Sequence, residues 1–149
     1  MSLKTAKTLL KVMGILSIIG AVLGIIVAIA FLAGGGLLAT NQELSAEVAA
    51  QVEGGEQAGA LFIGVGIGAL ISAVIELLDG IFSVRASKDS AKWKPAWIFA
   101  ILSLIASVIT LIMGIIQNGA GSIPSNIVSI VLAVLIFVAA NTVKSDAGQ

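Results

Sequence analysis

Glu76 and Asp79 are the residues whose type and spacing could do chemistry, two carboxylates in the stretch Val74-Ile-Glu-Leu-Leu-Asp-Gly-Ile-Phe-Ser-Val-Arg85. Three residues apart on a helix, they share one face. In apolar surroundings a carboxylate needs a cation, water or a proton, so the pair reads either as packing hardware or as a proton or cation site. Lys11 is the expected partner of Glu76 or Asp79, with Lys7 and Arg85 as alternatives. The charge cluster of interest is therefore Lys11, Glu76, Asp79 and Arg85. Two helix ends fit the stretch: one past Ser83, and one at Gly80, which would put both acids in the last turn against the helix dipole.

The remaining composition narrows the chemistry. Cysteine, histidine and tyrosine are absent, which removes disulfides, thiol chemistry, the common zinc and haem ligands, and any Ser-His or Cys-His nucleophile pair. No catalytic residue, cofactor or metal site is expected, and the chain reads as not an enzyme. Of its 149 residues, 58% are hydrophobic and 11% charged, with mean hydropathy +1.14. A soluble domain carries roughly 25% charged residues. The class is therefore integral membrane. Eight basic and eight acidic residues cancel, so net charge points to no nucleic-acid partner and only its distribution is informative.

The acids must be positioned by membrane-spanning helices. Val12 to Ala33 is uncharged over 22 residues, enough at about 1.5 Å per residue to cross a hydrocarbon core of roughly 30 Å. Three more spans are expected at about 58–81, 97–116 and 123–143, giving a single all-α membrane domain, a four-helix bundle. Outer loops fall at 34–57 and 117–122, and a cytoplasmic loop at 82–96. Pro95 and Pro124 suit the first turns of spans three and four, and Ser122 suits an N-cap. Ala28-Ile-Ala30 would suit a signal peptidase. The apolar run is long for a cleaved leader and continues past Ala30, so an uncut span is expected.

The charges orient this bundle. Lys4, Lys7 and Lys11 precede span one, Arg85, Lys88, Lys92 and Lys94 lie between spans two and three, and Lys144 follows span four. The first outer loop carries Glu43, Glu47, Glu53 and Glu56 with no basic residue. The positive-inside rule then expects both termini in the cytoplasm, with Trp93 and Trp97 in an interfacial belt. Arg85, Lys88, Lys92 and Lys94 also suit anionic lipid, although topology alone explains them. In the outer loop, Thr40-Asn-Gln-Glu43 matches a capping box, with Leu44, Val48 and Val52 on one face and Gly54-Gly55 at the end, so a short amphipathic helix is expected there.

Small residues mark the packing faces. Ala60, Gly64, Gly68, Ser72, Glu76 and Gly80 recur every four residues in span two, and Gly20, Gly24 and Ala28 do so in span one. Span three offers Ala100, Ser103, Ser107, Thr110 and Gly114, and span four Ser125, Ser129 and Ala133. In lipid, close backbone approach and interhelical hydrogen bonds supply the attraction. Gly14-Ile-Leu-Ser-Ile-Ile-Gly-Ala-Val-Leu also parallels Ala100-Ile-Leu-Ser-Leu-Ile-Ala-Ser-Val-Ile, a hint of a two-plus-two duplication against which the shared apolar composition weighs.

The segment Glu76-Leu-Leu-Asp-Gly-Ile-Phe-Ser-Val-Arg-Ala-Ser-Lys88 with Lys94-Pro-Ala-Trp97 resembles small bacterial four-span membrane proteins of unassigned function. That resemblance implies a bacterial cytoplasmic membrane and nothing catalytic. The loop layout is similar to that of tetraspan proteins such as claudins, without their outer-loop cysteine pair. The expected function is a noncatalytic module assembling through small-residue faces with itself or another membrane protein in the bilayer. The alternative is a small transporter or channel subunit using Glu76 and Asp79.

Overall fold

A computed structural model of the chain describes residues 1–51 and 57–148, leaving aside the side chains at 120, 122 and 125. Five α-helices occur among the described residues: α1 (Leu3–Thr40), α2 (Gln42–Gln51), α3 (Ala58–Lys88), α4 (Trp93–Asn118) and α5 (Ile123–Ala147). Four of them, all but α2, are long and apolar enough to cross a membrane. The four expected spans are thus present, and each helix outruns its apolar stretch. The caps explain this. Ser2 Oγ accepts the Thr5 amide at 3.2 Å, so α1 begins ahead of its three lysines, and its backbone ladder continues through Gly34, Gly35 and Gly36.

The stretch 82–96, expected as a cytoplasmic loop, is mostly helical. Helix α3 continues to Lys88, because Arg85 and Lys88 in its last turn complement the negative end of the helix dipole. Gly80 is therefore not its end, and neither acid lies in its last turn. Asp89 follows, and its carboxylate accepts the Ala91 amide at 3.0 Å, starting a 3-10 turn, Ser90–Lys92, that leads directly into α4. Pro95 falls in the first turn of α4 and Pro124 in that of α5, where a missing amide hydrogen costs nothing.

The connections expected as outer loops, 34–57 and 117–122, are also more helical than expected. Much of 34–57 belongs to α1 and α2. The capping box at Thr40 does not form: Thr40 Oγ1 donates back to the Gly36 carbonyl at 2.9 Å, and Asn41 instead caps α2 by accepting the Leu44 amide at 3.2 Å. No residue of α2 is buried. Val52, Glu53, Gly54, Gly55 and Glu56 lie outside the described residues, as do the side chains of Ser122 and Ser125. Between α4 and α5, Gly119 adopts a left-handed φ of 66° and its amide bonds the Ile115 carbonyl, a conformation that favours glycine. A 3-10 turn, Gly119–Ser122, completes the connection.

The described chain forms two compact units, Met1–Ser17 with Leu78–Gln149, and Ile18–Leu77. Their boundaries fall inside α1 and α3. The first unit holds a buried cluster of Ala6, Leu10, Ala86, Ala96, Ala100, Ala139, Ala140 and Val143, in which alanine predominates because it lets helix backbones approach. Most large apolar side chains on the spans are exposed, among them Leu23 at 59% and Ile116 at 73%, as suits a lipid-facing surface.

Candidate functional site

In the second unit, α1 and α3 run antiparallel, since rising positions on α1 meet falling positions on α3. A methyl group added at Gly24 would stand 3.2 Å from Ala73 Cβ, and one at Gly66 would stand 2.7 Å from Leu32 Cγ. At Gly35 it would meet Ile63 N at 2.8 Å and the Gly59 carbonyl oxygen at 2.9 Å. At Gly35 and Gly66 a methyl group would force something to shift, while at Gly24 its neighbour would have to give by a few tenths of an ångström. Phe31 and Phe62 meet edge to face, with centroids 5.6 Å apart.

The α3 residues in this contact, Gly59, Gly66 and Ala73, are seven apart, and so are Ala21, Ala28 and Gly35 on α1. A seven-residue repeat holds one helical face toward a neighbour, drifting by only about 20° per repeat. The expected face was a different one. Ala60, Gly64, Gly68 and Ser72 are exposed, and nothing lies within 4 Å of a methyl group added at Gly64 or Gly68. A four-residue step turns about 40° around the helix, so the ridge winds away from α1. Gly20 and Gly24 lie on the α1 face that meets α3.

Glu76 shares that ridge and is exposed, while its Oε1 lies against α1 where Gly20 leaves room, 2.8 Å from an added methyl group. Asp79, Lys11 and Arg85 fall in the first unit. Asp79 is half-buried and engaged, whereas Lys11 and Arg85 are exposed. Near them α1 and α3 also pack closely: a methyl group at Gly14 would meet the Gly80 carbonyl oxygen at 2.8 Å.

In the first unit α4 packs on α5. The α4 seam turns Ala96 and Ala100 fully inward and Ser103, Ser107 and Gly114 partly inward, while Thr110 is exposed. Ser107 Oγ donates to the Ser103 carbonyl at 2.8 Å, which satisfies the hydroxyl within its own helix. On α5, Ala133 is buried.

One arrangement was missed in the sequence. Lys144 Nζ stands 3.9 Å from the Trp97 ring centroid and 5.2 Å from that of Trp93. The two indoles meet edge to face at 5.8 Å. A cation over an indole face is attracted by the ring quadrupole. The available signal was Trp93 and Trp97 at helical spacing i, i+4, but nothing in sequence pairs them with Lys144. Trp97 Nε1 and Ser90 Oγ are buried without a hydrogen-bond partner among the described residues.

Among the described residues, no three of His, Cys, Asp and Glu gather as metal ligands would. The chemically distinctive features are thus a carboxylate lying against α1 at Gly20, a cation between two indoles, and exposed bases at one helix junction. Comparison with protein-family models, curated proteins and solved structures finds no match to this chain.

Proposed function

We propose that this chain is a noncatalytic four-span assembly module of a bacterial cytoplasmic membrane, joined to a second membrane protein or a second copy through the outward ridge of α3. The observation that carries the reading is the openness of Gly64 and Gly68. The chain packs α3 on α1 through Gly59, Gly66 and Ala73, so the glycines at 64 and 68 are not consumed by its own fold. In lipid, such a small-residue ridge admits the backbone of another helix. The segregation of basic and acidic residues supports both termini and the α3–α4 junction in the cytoplasm, with α2 outside.

Copurification from mild detergent, with mass spectrometry of what accompanies the chain, tests this. The double variant Gly64→Leu with Gly68→Leu should lose the partner while keeping its helical circular dichroism. Retention of the same partner at the same yield would count against the ridge.

A further inference from the structure

The α3–α4 junction presents an exposed basic patch that the assembly reading does not use. Arg85 and Lys88 lie three residues apart in the last turn of α3, so they share a face. Lys92 ends the 3-10 turn, and Lys94 stands in the first turn of α4. All four are exposed. Because Asp89 alone separates the helical segments, these cations are held on an ordered backbone rather than scattered along a flexible loop. The one acid among them has a carboxylate oxygen engaged by the Ala91 amide.

Position supplies the ligand chemistry. Both helices that meet at the junction are long and apolar enough to cross a membrane, so the patch stands where a span leaves the hydrocarbon and meets lipid headgroups. We propose that Arg85, Lys88, Lys92 and Lys94 form a binding surface for the phosphate-bearing headgroups of anionic phospholipids in the adjoining leaflet. Each basic residue near an anionic surface strengthens attachment roughly fivefold, and the attraction fades beyond about 8 Å at physiological salt. Lys144 differs, since its ammonium is already lodged between Trp93 and Trp97. Lys4 offers a comparison. It is exposed but is a single cation, about 12 Å of helix ahead of Val12 and not part of the α3–α4 junction.

The full chain in mild detergent, equilibrated with equal amounts of phosphatidylglycerol and phosphatidylcholine, tests the proposal by native mass spectrometry of retained lipid. Phosphatidylglycerol should be retained preferentially, and the preference should shrink as salt rises. The pairs Arg85→Gln with Lys88→Gln, and Lys92→Gln with Lys94→Gln, should each lower it tenfold or more. Lys4→Gln should lower it less than twofold. Equal retention of the two lipids by the unaltered chain would overturn the proposal without recourse to any variant. So would a loss in Lys4→Gln as large as that in the junction pairs, which would mean that net charge alone decides. Displacement of the lipid by millimolar inorganic phosphate would also overturn it, by assigning the surface to a free anion.

Discussion

The carboxylate of Glu76 lies against the α1 backbone at Gly20, so that a methyl group placed there would meet Oε1 at 2.8 Å. Gly35 stands in a tighter position on the same helix, because the atoms it faces include the amide nitrogen of Ile63 and the carbonyl oxygen of Gly59. A carboxylate at the end of a flexible side chain can rotate away, but helix backbone cannot. Gly20→Ala should therefore cost less than about 1 kcal/mol, the scale of a rotamer adjustment. Gly35→Ala should cost about 1–3 kcal/mol, as overpacking does. Dodecyl sulfate titration in mixed micelles, followed by circular dichroism, measures both; equal losses would contradict the contact geometry.

Gly66 and Gly68 make a second contrast only two positions apart. A methyl group at Gly66 would press on Leu32 at 2.7 Å, while at Gly68 it would meet nothing within 4 Å. Gly66→Ala should be destabilising by about 1–3 kcal/mol. Gly68→Ala should leave the isolated chain unharmed or stabilise it by up to about 1 kcal/mol through helix propensity. The same unfolding titration reports the difference in sign.

The chain has two tryptophans and no tyrosine, and both indoles face Lys144. Lys144→Met keeps much of the length and removes the charge, so it should shift and brighten or dim tryptophan emission and cost about 0.5–2 kcal/mol. Lys144→Arg should restore most of both. Emission identical across all three proteins would show that the ammonium does not engage the rings in solution.

Leu10 is one of the largest fully buried side chains, within the alanine-rich cluster of the first unit. Leu10→Ala should cost about 2–5 kcal/mol, because its alanine neighbours have no longer side chains to lean into the space. Leu23→Ala, at a position 59% exposed, should change stability by less than about 0.5 kcal/mol. Parallel unfolding titrations separate the two.

Orientation is accessible because the chain is free of cysteine. Single cysteines at Glu43 and Lys88, both exposed, should react with a membrane-impermeant maleimide from opposite sides of intact cells or vesicles. Labelling of both from one side would remove the proposed topology.

The four long helices were legible because an uncharged run the width of a bilayer admits few other structures. Their ends were less legible. Hydropathy marks where apolar residues stop, whereas α1 and α3 stop where Ser2 and Asp89 redirect the backbone, beyond their lysines and Arg85. Asn41 took the capping role expected of Thr40, whose hydroxyl turned inward to the Gly36 carbonyl. The α3 face that meets α1 was not the ridge read in the sequence, because small residues occur at intervals of both four and seven in this helix. Only rotation about the helix axis distinguishes them, with Gly80 common to both series. The partnership of Lys144 with Trp97 joins residues nearly fifty positions apart, and no local pattern announces it.

The length of α1 carries one more consequence. Its apolar stretch from Val12 to Leu38 spans 27 residues, about 40 Å, whereas Ala96 to Ile116 of α4 covers 21 residues, about 31 Å. A bilayer fitted to the shorter helix is too thin for the longer one, which must lean, or else stretch the lipid around it, at a fraction of a kcal/mol per Å of mismatch. If these helices span a bilayer together, the mismatch should make stability depend on acyl-chain length, through the helix that carries Gly20 and Gly35.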